Sequence, residues 1–369
     1  MVRTLLAGAA VAAGLMMPTV AQASISGSSE RIGGTNGRVS AIVILNGVTY
    51  VGGSFDTVFD RSGHSFTRHN LAAFASNGNP TAWNPNANGA VHALAAHGTR
   101  IFAGGAFTAV HCHRAKHLAA LGLRGGLAWA GGVGDTVRAL RYAGGLVFVG
   151  GSFRHVQGLN RHRLASVGVK HGRVTRWNPG ANRTVYALAT SGTRIYVGGA
   201  FTTIGGHTAP HLVDLSQSTG ARIRFASHPS YPVLGLAVGG SQLYVAGGGA
   251  GGNFAAYSFA GSRLWLHVTD GGAAGVAIAG SQIVFGGHFN AVCRNNAGGG
   301  SPFHCSQDIT RHHLVAVRSN GALLAWAPPV NSRLGVFAVR AGTNRVWVGG
   351  DFTSIGTANR PHLTRFAYS

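Results

Sequence analysis

Carboxylates are nearly missing from this chain. Of 369 residues only 8 are Asp or Glu, and Glu30 is the single glutamate. Hydrolysis of a sugar by paired carboxylates would therefore have to draw on aspartates alone. Lysine is scarcer still: Lys116 and Lys170 stand alone, so the formal charge of +22 is almost entirely arginine. Three cysteines, Cys112, Cys293 and Cys305, leave room for one intramolecular disulfide. Beyond the N-terminus no stretch approaches 18 unbroken apolar residues, which excludes a spanning helix there. A Gly-x-Ser-x-Gly elbow, a His-Glu-x-x-His pair, a phosphate-binding Walker loop and a repeated calcium loop are all absent, so the commonest hydrolase, metalloprotease and nucleotidase signatures are excluded.

What the chain has in abundance is repetition. A phrase close to Val-Tyr-Val-Gly-Gly-Ser-Phe returns seven times. From an opening small apolar residue (Val39, Val91, Val137, Val185, Val233, Ala273, Val336) to the first residue of the pair (Gly52, Gly104, Gly150, Gly198, Ala246, Gly286, Gly349) the separation is 13 each time. Units of about 40–50 residues carrying several short strands mark a β-propeller, one four-stranded blade per unit. In the fourth unit Val185 opens an alternating strand and Gly192 turns it into Arg194–Phe201. His211–Leu215 and Arg222–Phe225 follow as third and fourth strands. Trp83, Trp129, Trp177, Trp265 and Trp326 take the place of Phe225 in other units and read as core, as does the Phe after each Gly-Gly pair. The glycines recur at turns and in the pairs, where positive φ or close backbone approach requires them.

The expected fold is all-β: a seven-bladed β-propeller of four-stranded blades. The chain ends at Ser369 without a fourth strand for the last unit, whereas residues 28–33 precede the first inner strand in outer-strand register. An N-terminal strand completing the last blade would close the ring and remove its open edges. Met1-Val2-Arg3, the apolar run from Leu5 to Val20 and Ala21-Gln22-Ala23 form a secretory signal peptide cleaved near Ala23. The organisation expected is thus a leader over residues 1–23 and one propeller domain over 24–369, secreted or at the cell envelope, with no transmembrane segment or lipid anchor. In an exported protein Cys293 and Cys305 pair across one loop, and Cys112 is left free or pairs between molecules.

The units resemble the delta-60 repeat propellers of secreted bacterial proteins. The matching stretches are Val197–Gly206, Val348–Gly356, His117–Leu121, Trp83–Asn88 and Trp177–Asn182, within a likeness that covers essentially the whole mature chain. A looser similarity extends to fungal cortical polarity-marker proteins and to kelch-type rings. These units are shorter than 60 residues, and the fifth departs at Ala246-Gly247-Gly248. The resemblance implies an extracellular propeller and brings no catalytic residues with it.

Loops joining second to third strands should share one face with the inter-blade loops. Their lengths break the symmetry: 13 residues from the second Gly to the third-strand apolar residue in units two, three, four and seven, but 18 in unit one, 7 in unit five and 27 in unit six. A long loop beside a short one forms a lid or wall, or is a neutral insertion. Asp56, Asp60, Asp270, Asp308 and Asp351 fall on that face in units five, six, seven and one. They offer a calcium, sugar or cation site, or serve simply as turn residues. Asn70, His117, Arg163, His211, His313 and His362 directly precede the third-strand Leu. They either ring the same face and grip anions as imidazoles protonate, or satisfy local backbone. His111-Cys112-His113 has metal-ligand residue types but no matching second motif.

The function expected is non-catalytic binding of an extracellular polyanion, glycan or cell-envelope protein, without specific nucleic-acid recognition. Charge of this size attracts polyanions, though it also serves solubility with no partner. The alternative is a carbohydrate-active lyase or oxidoreductase at the channel mouth, with Asp56, Asp308, Asp351 and His288 as its first suspects.

Overall fold

The computed structural model describes residues 24–226, 228–249, 251–293, 305 and 308–369; the expected leader over residues 1–23 lies outside them. The described secondary structure is all strand, and its organising element is a hairpin repeated seven times. The inner strands are Arg38–Leu45, Val91–His97, Val137–Ala143, Val185–Ser191, Val233–Gly239, Ala273–Ala279 and Val336–Ala341. Each pairs antiparallel with the strand carrying the Gly-Gly pair (Ala246-Gly247 in unit five), which in turn pairs with a third strand whose Leu, or Phe254 in unit five, stands opposite the first residue of that pair. Tight turns at Gly98, Gly144, Gly192, Gly240 and Gly280 hold positive φ, as the hairpin spacing requires.

The constant interval has a packing cause. A Cβ on Gly52 would lie 2.5 Å from Val91 of the following unit, and the first glycines of units two, three, four and six abut Val137, Val185, Val233 and Val336 in the same way. Gly349 of unit seven abuts Val39 of unit one. Unit five breaks the motif with Ala246, and the residue facing it, in one cluster with it, is Ala273 instead of valine. The extra methyl on one side is matched by two fewer carbons on the other. Each inner strand lies beside the next, and Val336–Ala341 lies beside Arg38–Leu45.

Between units the tryptophans act as buttresses. Trp83 Nε1 donates to the Gly122 carbonyl (3.0 Å), Trp129 to Val169 (3.0 Å), Trp177 to Ser216 (3.0 Å) and Trp265 to Ser319 (2.9 Å), each in the following unit. Trp326 donates to the Ser26 carbonyl (2.9 Å). That N-terminal segment lies beside the last strand: Ile25 bridges Tyr368, Glu30 bridges Arg365, and the Glu30 carboxylate binds Arg345 (2.8 Å) and Arg365 (2.6 Å).

Two expectations need correction. The fourth strand is shorter than four-stranded units require: Leu127–Ala130, Arg222–Ile223 and Arg263–Thr269 pair as strands, but units one, three and six keep only the single bridges Phe74–Pro80, Val167–Val174 and Val317–Leu323. Pro80, Pro179 and Pro328 sit in or just after those segments, and a residue without an amide hydrogen cannot extend a ladder. The second-to-third connections, read as loops, are small hairpins, for example Thr203–Ile204 with His207–Thr208 about Gly205-Gly206. His111 and Cys112 hold the same two turn positions, both at positive φ, between Ala109–Val110 and His113–Arg114. Their motif is turn chemistry, and Cys112 is an exposed free thiol.

Candidate functional site: the mouth of the axial cavity

Every inner strand carries a bulge at the residue after its opening Val or Ala, where the register slips between Val39 and Ala41 and at the six equivalent positions. The second glycine of each pair permits it, since a Cβ on Gly53 would strike the Arg38 carbonyl across the bulge. A bulge re-aims one side chain and frees it from the ladder. The residues so treated are Ser40, His92, Arg138, Tyr186, Leu234, Ala274 and Phe337. Five of them, Ser40, Arg138, Tyr186, Leu234 and Phe337, line a cavity of about 190 Å³ to which all seven inner strands contribute.

The chemistry of this mouth is cationic and aromatic. The Arg38 guanidinium lies 4.8 Å from the centre of the Phe337 ring and that of Arg138 lies 5.9 Å from the Tyr186 ring. Both are cation–π distances that hold a planar cation against a face while leaving its edge to a ligand. Burial pushes the pKa of His92 down, and the charges of Arg138 and Arg38 push it further the same way. Five ion pairs exist among the described residues, those of Asp56, Asp60, Asp214 and the two of Glu30, and none reaches Arg38 or Arg138. The Arg38 Nε is buried without a hydrogen-bond partner.

Of the aspartates offered as a ligand site or as turn residues, Asp56, Asp60, Asp270 and Asp351 make local contacts. Asp60 accepts from the Ser62 and His64 amides (2.8 and 2.9 Å) and meets His64 Nδ1 at 2.9 Å, whose hydrogen bond is the main cause of its lowered pKa. Asp56 is mostly exposed and meets His69 at 3.1 Å. Asp270 accepts from the Asn290 and Ala291 amides at 2.8 and 2.9 Å. Asn36, Asn88, Asn182 and Asn331 make the same two bonds in their units, so this aspartate is a loop pin. Asp351 is bound by the Ser332 hydroxyl and the Leu334 amide. Asp308 is exposed opposite Cys293 in the unit-six hairpin, most of whose tip lies outside the described residues. Among the described residues no three of His, Cys, Asp or Glu gather as a metal-holding group.

The six residues before the third strand have a backbone reason to be what they are. Asn70, His117, Arg163, His211, His313 and His362 all lie at φ between 61 and 66°, the left-handed region that asparagine and histidine tolerate best. Their side chains turn to main-chain carbonyls: Asn70 to Ala87 (2.8 Å), His117 to Val133 (2.8 Å), Arg163 to Ala181 (2.9 Å), His211 to Gly199 (3.2 Å) and His362 to Gly350 (3.3 Å). Burial lowers the pKa of His211, His313 and His362, so these imidazoles resist the protonation that anion binding on a rim would need. His288 is exposed and stacks on His313 with ring centres 6.3 Å apart. The expected Cys293–Cys305 disulfide is present, with Cα atoms 5.6 Å apart, and suits an oxidising compartment. No helix among the described residues is long and apolar enough to cross a membrane.

Sequence reasoning missed the mouth itself. The signal that could have found it is the residue immediately after each opening Val or Ala, which differs in all seven strands while the residue after it is always Ala or Gly.

No family profile and no curated protein matches this chain. Solved structures do. The WD40 β-propeller domain of Doa1 is similar over 92% of this chain and 96% of its own, with a TM-score of 0.59 and 13% identity. The computationally designed protein Ika8 aligns over 93% of this chain and 100% of its own, with a TM-score of 0.55 and 15% identity. BamB from Moraxella catarrhalis is more distant, at a TM-score of 0.47 and 12% identity over 90% of this chain and 83% of its own. At these identities the likeness speaks for the fold alone, and that fold is a β-propeller.

Proposed function

We propose that this protein is an exported, non-catalytic binding propeller of the delta-60 kind whose axial mouth takes an extracellular polyanion or acidic glycan. The observation that carries this is the convergence of Arg38, His92 and Arg138 near the bulges, with Phe337 and Tyr186 against the arginines and no carboxylate among the described residues paired with them. Unmatched guanidiniums on aromatic faces suit sulfate and carboxylate groups on a sugar polymer, whose ring faces stack on what the cations leave uncovered. In this reading residues 24–369 form one closed ring of seven blades after removal of residues 1–23. The contact of Gly349 with Val39 and the pairing of residues 25–30 beside Leu363–Ala367 support that closure.

The test is binding of the mature protein to immobilised acidic and neutral polysaccharides across a salt series, with calcium and chelator arms. The acidic polymer should bind with an affinity that falls steeply with salt. Arg38→Ala and Arg138→Ala should each flatten the slope of log K against log salt by roughly one. Equal retention on the neutral polymer, or an unchanged slope in the double variant, would sink the proposal. Dependence on calcium would move the site to the aspartates at Asp56, Asp60, Asp308 and Asp351.

A further inference from the structure

Deeper along the same axis lies a second cavity of about 240 Å³, which shares Leu236, Val276 and Val339 with the first. Its wall is aliphatic except for two cations, Arg141 and Arg340. Both occupy the fifth position of their inner strands, counted from the opening Val; at that level the other strands carry Val43, Ala95, Ala189, Ala237 and Ala277. Two of the longest side chains thus project into a tier of small ones, which is what leaves the space. Arg141 Nε donates to Thr190 Oγ1 at 2.9 Å, and Arg340 has no hydrogen-bond or ion-pair partner among the described residues. Burial lowers the pKa of Arg141, and the charge of Arg340 lowers it further. Arg340 is an exposed residue of the cavity lining, and partial desolvation there lowers its pKa too. Two like charges lining one cavity repel each other unless an anion lies between them.

We infer that Arg141 and Arg340 form a binding site for one compact oxyanion of the sulfate, phosphate or carboxylate class. The planar guanidinium forks supply paired donors, and the alanine tier supplies room for the anion and a few waters. The site shares no basic residue with the mouth, so the two stand or fall separately. The anion arrives free or as a charged group of a larger ligand, and the chemistry recognised is the same.

The experiment is thermal unfolding and titration calorimetry of the mature protein in sodium sulfate against sodium chloride at matched ionic strength. Sulfate at saturation should raise Tm by about 2–4 °C beyond chloride, by mass action on the folded state. Arg340→Met should melt higher than the unaltered protein in chloride, because the repulsion is relieved, and should lose the sulfate increment. Arg38→Ala/Arg138→Ala should keep it, even where binding of the acidic polymer is lost. A sulfated disaccharide that displaces inorganic sulfate in the calorimeter identifies the larger ligand as the source; failure to displace it identifies the free ion. Equal Tm in sulfate and chloride for the unaltered protein would overturn the inference without any variant, as would an Arg340→Met protein that retains the sulfate increment.

Discussion

Replacing Gly349 with alanine tests the packing rule that makes these units a repeat. Gly349 lies outside the positive-φ region, so alanine is conformationally free there and even gains about 0.5–1 kcal/mol by restricting the unfolded chain. Its Cβ, however, would stand 2.5 Å from Val39 Cγ1 and 2.9 Å from Val39 Cβ, and Val39 is fully buried. Overpacking of this kind costs about 1–3 kcal/mol, leaving a net loss of about 1–2 kcal/mol. Val39→Ala alone removes two carbons, about 1.6 kcal/mol of transfer energy at 0.8 per carbon, and with its cavity costs about 2–3 kcal/mol. The double variant recreates the Ala246–Ala273 arrangement that units five and six already use. It should cost about 2 kcal/mol less than the sum of the single changes. Urea unfolding followed by tryptophan fluorescence reads all four proteins, and the Gly104/Val137 pair serves as an internal reference because its contact is equivalent. Additivity within about 0.5 kcal/mol would refute the size-matching argument. A harmless Gly349→Ala beside a costly Gly104→Ala would show that unit seven does not press on unit one in solution.

Removing the Glu30 carboxylate as Glu30→Gln leaves Arg365, whose side chain is only 7% exposed, without its counter-charge. With the exposure of Arg345 discounted, a loss of about 2 kcal/mol in urea unfolding is expected. Deleting residues 24–33 should lower Tm further, and an unchanged Tm would show that this segment is not part of the ring. Asp270→Asn should be neutral within about 0.5 kcal/mol, because asparagine makes the same two amide contacts in four other units; Asp270→Ala should cost about 1–2 kcal/mol, and equal effects of the two would remove the pinning role. Stability should fall as pH drops below about 6.5, the ordinary histidine value. Burial holds His92, His211, His267, His313 and His362 neutral in the fold, so the unfolded chain binds more protons in that range. Asp214, pushed up to about 6 by burial despite Arg194 at 3.0 Å, works the opposite way between its ordinary value and 6, one group against five. Urea midpoints at pH 7.5 and 5.5 check the sign, and a midpoint that rises on acidification contradicts it.

The strands, their order within a unit and the core aromatics were legible because each depends on residues close in sequence: period-two alternation, a glycine at a turn, a tryptophan repeated once per unit. The small loop hairpins were not read, although the pattern was present. Gly205-Gly206, Gln157-Gly158, Gly356-Thr357 and His111-Cys112 all sit at one offset after Gly-Gly, but two-residue strands carry too little alternation to register. The aspartates were read two ways, as a ligand site or as turn residues, for a related reason. Aspartate and asparagine are equivalent acceptors for a loop amide, so the charge that made Asp270 conspicuous is incidental to its work. The histidines also carried two readings, because a left-handed backbone position selects them for conformation and φ cannot be read from a residue name.

By itself the sequence determined that this chain builds repeated all-β units, where each unit begins, which residues form its core and which two cysteines join. Those follow from local periodicity and fixed spacing, which any unit displays alone. Only the tertiary structure decided that Arg138, Arg141 and Arg340 line the cavities at the axis and that Arg38 lies over Phe337 beside them, the four drawn from three units far apart in the chain. Strand alternation leaves open which way a side chain at a bulge turns, and spacing within a unit says nothing about what stands across the axis from it. The uncompensated charge at the centre comes from how the units are arranged around the axis, and no single unit contains it.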